Sequence, residues 1–365
     1  LVRHPFRFMG EDIDSLYDYV HSGNGERRDY CNSTVRDEEM LAQFDRVNGD
    51  YNMFWEERDY LKDLEPVRAA VLMCHAFNDW NVVPEHSVRI FEALKRNGVQ
   101  TQAFFHQGGH GGGPPMKLIN QWFSHYLHGV ENDVEKGPRA WIVREDDERG
   151  NPTPYDDYPN PEAGAVALFP VAGAPERGSL ALEQSAEQPT ERLVDNFSFD
   201  GAALARAEWT EHRLIYVTPA LAKPVHLSGT PRISIRLASS RPTANLSVWL
   251  ASLPWSEDRE AKITDNVITR GWADPQNHRS LRESEPLRPG RFYDLTFELQ
   301  PDDQIIAAGQ QIGLMVFSSD HDFTLRPTPG TELTIDLNAT SLTLPVVGGV
   351  NELREAFVSS DPPAQ

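Results

Sequence analysis

Two cysteines in 365 residues, Cys31 and Cys74, are too few for a disulfide framework. Cys74 ends an apolar run, where a free thiol is expected to pack as a small hydrophobe. Basic residues are also short, 34 against 55 acidic ones, for a net charge of -21. A phosphate backbone would be repelled, and no local basic stripe offsets this, so nucleic acid is excluded as a partner. No apolar run approaches the ~18 residues of a membrane span. The opening LVRHPFRFMG has the character of neither a signal peptide nor a domain start, so the chain is expected to begin within a fold. Neither a cytoplasmic nor a secreted location follows from it. Also absent is any G-x-S-x-G segment, the elbow that presents a nucleophilic serine between a strand and a helix.

What is present centres on residues 67–128. The apolar run Val67 to Met73 reads as a parallel strand covered on both faces, ending in the polar turn CHAFNDWN. A helical segment follows from Glu85 to Asn97, with Val88, Phe91 and Leu94 on one face and Asn97-Gly98 as its stop. A second strand, Gln100 to Phe105, leads into the glycine-rich loop HQGGHGGGPP, and a last helix spans Pro115 to Leu127. This strand, Asp-loop, helix, strand, His-loop, helix order is that of the last two β-units of an α/β-hydrolase sheet. Open sheets of this kind place their chemistry at the carboxyl ends of the strands.

Asp79 and His110 occupy those two ends, 31 residues apart, which accommodates one crossover helix. Neighbouring parallel strands lie about 4.8 Å apart, so the two loops are expected to meet. A carboxylate that fixes an imidazole tautomer, and an imidazole that shuttles a proton, are two parts of a hydrolytic triad. The third is missing: Ser15, Ser22 and Ser33 have no elbow context, and Ser179 follows the histidine. A metal-dependent hydrolase built on His75, Asp79, His106 and His110 is disfavoured, because Gly108 and Gly109 interrupt the H-x-x-x-H spacing on any helix. No metal or other cofactor is expected.

On either side the texture differs. Residues 11–45 are polar and helical, either a cap over the site or helices packed on the sheet. The stretch YNMFWEERDYL at 51–61 sets aromatics beside charge, either lining a pocket or packing a helix end on a core. From Pro138 onward, runs such as RAWIVRE, ISIRLAS, LSVWLASL and ELTIDL alternate apolar and polar residues between turn formers, as antiparallel sandwich strands do. The expected fold is α/β plus all-β. Residues 1–137 form the C-terminal part of an α/β-hydrolase domain, with a helical cap segment over about 1–60. Residues 138–352 form a jelly-roll β-sandwich, with an irregular connection over 150–190, and 353–365 a disordered tail.

The segments YNMFWEERDYLKDLEPVRAAVLMCHAFNDWNVV and HQGGH, with the later LSGTP, RGWADPQNH and PLRPGRFYDLTFEL, resemble the Xaa-Pro dipeptidyl-peptidase family, relatives of cocaine-esterase-like hydrolases. The likeness runs from about residue 10 to 350 and corresponds to the C-terminal portion of such an enzyme. It implies a serine peptidase that releases N-terminal dipeptides with proline second, with Asp79 and His110 as its triad acid and base. It further implies that Asn81 lies near the substrate amine and that Glu11, Asp12 or Asp14 supplies a countercharge. Trp80 and Trp55 become candidate walls for the proline ring, with core packing as the alternative. The nucleophile would come from the N-terminal portion of the same enzyme, so the chain alone is expected to be inactive. Homo-oligomerisation is compatible with these residues and not specified by them.

Two rivals remain open. An acyl-ester hydrolase of the same architecture would lack the groups that hold a protonated amine. A non-enzymatic binding protein would use the sandwich, with Trp249, Trp255 or Trp272 as stacking platforms.

Overall fold

The computed structural model describes residues 25, 26, 29, 50–144, 147–256, 266–324, 328 and 330–358. The cap reading of residues 11–45, and with it Glu11, Asp12 and Asp14, falls outside the described residues apart from 25, 26 and 29, which are helical. The short helix α1 (Met53–Glu56) is capped by the Asn52 side chain. Its segment lies along the β-rich unit: Tyr51 N–H donates to Leu281 O (2.7 Å) and Arg282 reaches Glu56 (2.8 Å).

The strands β1 (Val71–Ala76) and β2 (Thr101–His106) pair in parallel, Val71 opposite Thr101 through Ala76 opposite His106. They flank α2 (Glu85–Arg96), whose Val88, Phe91 and Leu94 bury against the sheet as their three-residue spacing along one helix face requires. After β2 comes α3 (Met116–His128), which stops at Gly129 in the left-handed region (φ 66°) and buries Leu118 and Trp122. The sheet has four strands in the order β1-β2-β3-β4, with β3 (Ala140–Val143) parallel to β2 and β4 (Thr153–Tyr155) antiparallel to β3.

This corrects the expected boundary at 137/138. RAWIVRE is a strand of the α/β sheet, not of the sandwich, because its Ala140 and Ile142 join Phe105, Phe91 and Tyr158 in one core. Among the described residues nothing pairs with the other edge of β1. All of β2 is buried, whereas β1 is half-exposed from Val71 to His75.

The remaining chain folds as a mostly β unit, from β5 (Ala163–Val171), β6 (Gly178–Ala181) and β7 (Thr190–Val194) through α4 (Gly201–Arg206) and β8 (Arg213–Val217). It continues with β9 (Val225–Gly229), β10 (Arg232–Ser239), β11 (Leu246–Leu253), β12 (Val267–Ala273), β13 (Phe292–Glu298), β14 (Asp302–Ile306), β15 (Gln311–Phe317), β16 (Glu332–Val347) and α5 (Gly349–Phe357). The main path runs β12-β11-β15-β8-β6-β5-β16-β10-β13. Strand β5 turns the corner, pairing β16 through residues 163–168 and β6 through 169–171. Alternate residues from both halves, such as Ile233, Ile235 and Leu237 of β10 and Leu246, Val248 and Leu250 of β11, fill one core. The intervening residues Trp249, Ala251 and Leu253 pack under α4 in a second.

Two further expectations change. The stretch 150–190 carries strands in place of an irregular connection. Residues 353–357, assigned to the tail, complete α5, where Leu353 and Ala356 are fully buried. Among the described residues no helix is long and apolar enough to cross a membrane.

Candidate active site

Strand β1 ends at Ala76 and the chain turns at once, with Phe77 N–H still bonded to His106 O (2.8 Å) and Asn78 N–H to Gly108 O (3.2 Å). The Asp loop therefore rides on the His loop through backbone bonds. Asp79 is 4% exposed. Its Oδ1 accepts from the amides of Asn81 and Val82, each at 3.0 Å, an Asx-type turn that fixes the carboxylate. Its Oδ2 lies 2.9 Å from His110 Nδ1. A carboxylate there selects the tautomer with the proton on Nδ1 and leaves Nε2 as the basic nitrogen. The imidazole is 64% exposed at its side chain, so that basic edge is accessible.

The loop holding His110 is built on a second histidine. His106 is 1% exposed. Its Nδ1 accepts from Gly108 N–H (3.0 Å) and lies 3.3 Å from an Arg149 nitrogen, and its Nε2 donates to Gly112 O (3.3 Å). Burial, and then the Arg149 charge, push its pKa below the ordinary histidine range. Gly111 and Gly112 sit at φ 96° and 99°, conformations side chains rarely adopt, which lets the loop turn back over His106. Cys74 is half-buried at the open-edge strand and donates its thiol to Gly112 O (3.1 Å); burial pushes that thiol's pKa up.

The other candidates separate. Asn81 contributes its backbone amide to Asp79 and has an exposed side chain. Trp80 turns into the β-rich unit: its ring lies 4.4 Å from the Arg270 guanidinium and edge-on to Trp272 and Phe323. That packs the two units against each other. Trp55 is half-buried on α1. Of the sandwich tryptophans offered as platforms, Trp249 is 2% exposed and donates to Asp320 (2.9 Å), as Trp272 does (3.0 Å). Among the described residues no group of three or more His, Cys, Asp or Glu is arranged to hold a metal ion.

Sequence reasoning missed Gln107 and Arg270, and considered His75 only as a disfavoured metal ligand. His75 bridges Ser87 Oγ (2.5 Å) and Val82 O (2.8 Å) beneath the Asp79 turn. The polar His75 in an otherwise apolar strand was the one available signal.

A mostly parallel sheet that brings a buried carboxylate to an exposed imidazole at the carboxyl ends of its strands, joined to a mostly β unit, has the architecture of α/β-type hydrolases. Solved structures agree at the level of fold. An aminopeptidase from a marine-sediment Thaumarchaeota archaeon superposes with a TM-score of 0.68 at 15% identity, covering 91% of this chain and 64% of its own. A CocE/NonD family hydrolase of Staphylococcus aureus gives 0.63 at 13%, covering 84% and 59%.

Family models match residues 132–361 as the X-Pro dipeptidyl-peptidase C-terminal non-catalytic domain and residues 1–112 as X-Pro dipeptidyl-peptidase of the S15 family. A Rhodopirellula baltica protein provisionally named a Xaa-Pro dipeptidyl-peptidase is 66% identical over 350 residues, 96% of this chain and 56% of that protein. The Xaa-Pro dipeptidyl-peptidase of Lacticaseibacillus rhamnosus is 28% identical, over 94% of this chain and 49% of its own length. The chain belongs to the X-Pro dipeptidyl-peptidase (S15) family, and it spans about half the length of the curated relatives it matches.

Proposed function

We propose that this chain is the Asp- and His-bearing portion of a serine peptidase that releases N-terminal Xaa-Pro dipeptides. The observation that carries the reading is the 2.9 Å bond from buried Asp79 to the exposed imidazole of His110. His110 Nε2 takes the proton of the attacking serine hydroxyl and passes it to the leaving amine, while Asp79 stabilises the imidazolium. The serine and its oxyanion donors belong to a preceding part of the enzyme, since no G-x-S-x-G occurs here. That part docks at the open edge of β1, whose half-exposed apolar residues suit a further parallel strand. Asn81 and the acidic residues Glu11, Asp12 and Asp14 would hold the substrate's protonated amine. The mostly β unit is read as a jelly roll.

The test uses this chain alone and together with the residues that precede it in its gene. The chain alone is expected to hydrolyse nothing, and the reconstituted enzyme to release Ala-Pro from an Ala-Pro amide, with loss of about 10⁴-fold in kcat for Asp79→Asn. Turnover by the chain alone, or an undiminished Asp79→Asn variant, would overturn the proposal. Turnover of a simple aryl ester with no amide cleavage would make the enzyme an ester hydrolase instead.

A further inference from the structure

We propose that the mostly β unit is a positioning element for the Asp79–His110 pair, acting through Trp80 and Gln107, with Arg270 at its centre. Its consequence for turnover rests on the function proposed above; its effect on geometry does not. Each of the two loops is tied to this unit close to its chemical residue. Trp80 directly follows Asp79, and its indole is held against Arg270, Trp272 and Phe323. Gln107, three residues before His110, donates its side-chain amide to Asp303 O and lies 3.5 Å from Asp302 Oδ1. The start of α2 makes a third tie, because Glu85 N–H donates to Gln300 Oε1 and Gln300 Nε2 donates to Glu85 Oε2, both at 3.2 Å.

The receiving groups form one block. Gln300 N–H donates to Arg270 O (2.7 Å), and Thr269 Oγ1 donates to Gln300 O (2.7 Å). Arg270 is 3% exposed, its guanidinium stacked also on Trp249 (4.3 Å) and Phe323 (4.9 Å). Burial lowers its pKa to about 10 and raises that of Asp320, the carboxylate that both Trp249 and Trp272 hydrogen-bond. A buried cation is a poor source of net stability. Its stacking is directional, however, and fixes the indole that extends the Asp79 turn. A glycine-rich loop and a four-residue turn have little rigidity of their own, and a common anchor makes their meeting reproducible.

The test reads the His110 ring-nitrogen shifts in the ¹⁵N-labelled chain, which report the nitrogen that carries the proton. The parent is expected to show the Nδ1–H form that Asp79 selects. Arg270→Met is expected to shift the ring towards the Nε2–H form, Arg270→Lys to restore it in part, and Ile235→Val, a core truncation on β10 away from the anchors, to leave it unchanged. In the reconstituted enzyme Arg270→Met should lower kcat about 100-fold with little change in KM. If Arg270→Met does not fold, Trp80→Leu removes the same tie from the other side. A folded Arg270→Met or Trp80→Leu chain that keeps the Nδ1–H form overturns the proposal. A tautomer shift in a chain whose reconstituted parent cleaves nothing supports this positioning role while sinking the peptidase reading.

Discussion

His75 Nε2 lies 3.6 Å from Asp79 Oδ2, so one buried carboxylate has two imidazoles beside it. They do different work. His110 lies closer to the carboxylate, at 2.9 Å, and is exposed, whereas His75 is 10% exposed at its side chain and spends its own bonds on Ser87 and Val82. Val82 O accepts from Nε2 and Ser87 Oγ pairs with Nδ1, so His75 is a strut under the turn.

His75→Phe would leave the Val82 carbonyl and the Ser87 hydroxyl without this partner. Losing a buried hydrogen-bond partner costs about 1–3 kcal/mol. The variant should unfold at correspondingly lower denaturant while Ser87→Ala, which loses only one of the two bonds, falls between. Equal midpoints for His75→Phe and the parent in urea titrations would dispose of the strut.

Gly112→Ala tests the loop. At φ 99°, an alanine is strained whatever the space, and its Cβ would stand 2.4 Å from both terminal nitrogens of Arg149. The exposed arginine can swing away, so the cost is the backbone's, about 1–3 kcal/mol. Gly113 has open space around its would-be Cβ and no positive φ, so Gly113→Ala should stay within about 0.5 kcal/mol of the parent. Two thermal melts decide between them.

The Asp79–His110 pair was legible because each residue stands in a local pattern, a strand run that stops at a turn and a strand that stops at glycines. Arg270 and Gln300 were not, since their partners Trp80 and Glu85 are some 190 to 215 residues away and nothing local marks them. RAWIVRE was misplaced for a related reason. A four-residue strand whose alternate residues face a core reads alike in a parallel sheet and in a sandwich. In α5, the Leu353 and Ala356 spacing of a buried helical face was present but too short to outweigh the polar residues around it.

His106 gives the site a pH dependence of known sign. Burial holds its folded pKa below the unfolded value of about 6.5. Below that value the unfolded chain binds a proton that the folded one resists, so this group's contribution is intact above about pH 6.5 and is lost as pH falls through and beneath it. Stability measured by denaturant titration between pH 7.5 and 5 should fall more steeply for the parent than for His106→Gln. Parallel curves for the two proteins would contradict the assignment.

Arg213 is the buried cation that holds the β-rich unit itself together. It is 1% exposed, and burial lowers its pKa to about 10. Its fork donates to the carbonyls of Leu204 (3.3 Å), Ala174 (2.7 Å), Pro175 (3.1 Å), Glu176 (3.2 Å) and Ala207 (2.6 Å), binding both ends of the chain segment that covers β8. The planar arginine fork reaches all five acceptors at once, and the ammonium of lysine, a compact point charge, cannot span them. Arg213→Lys should therefore cost about 2 kcal/mol or more and Arg213→Met more again, since each abandoned buried acceptor carries about 1–3 kcal/mol. Because none of these carbonyls belongs to the Trp80 or Gln107 anchors, a folded Arg213→Lys chain should keep the parent's His110 tautomer while its guanidinium-chloride midpoint drops. A midpoint indistinguishable from the parent's would mean that water serves those carbonyls as well as the guanidinium does.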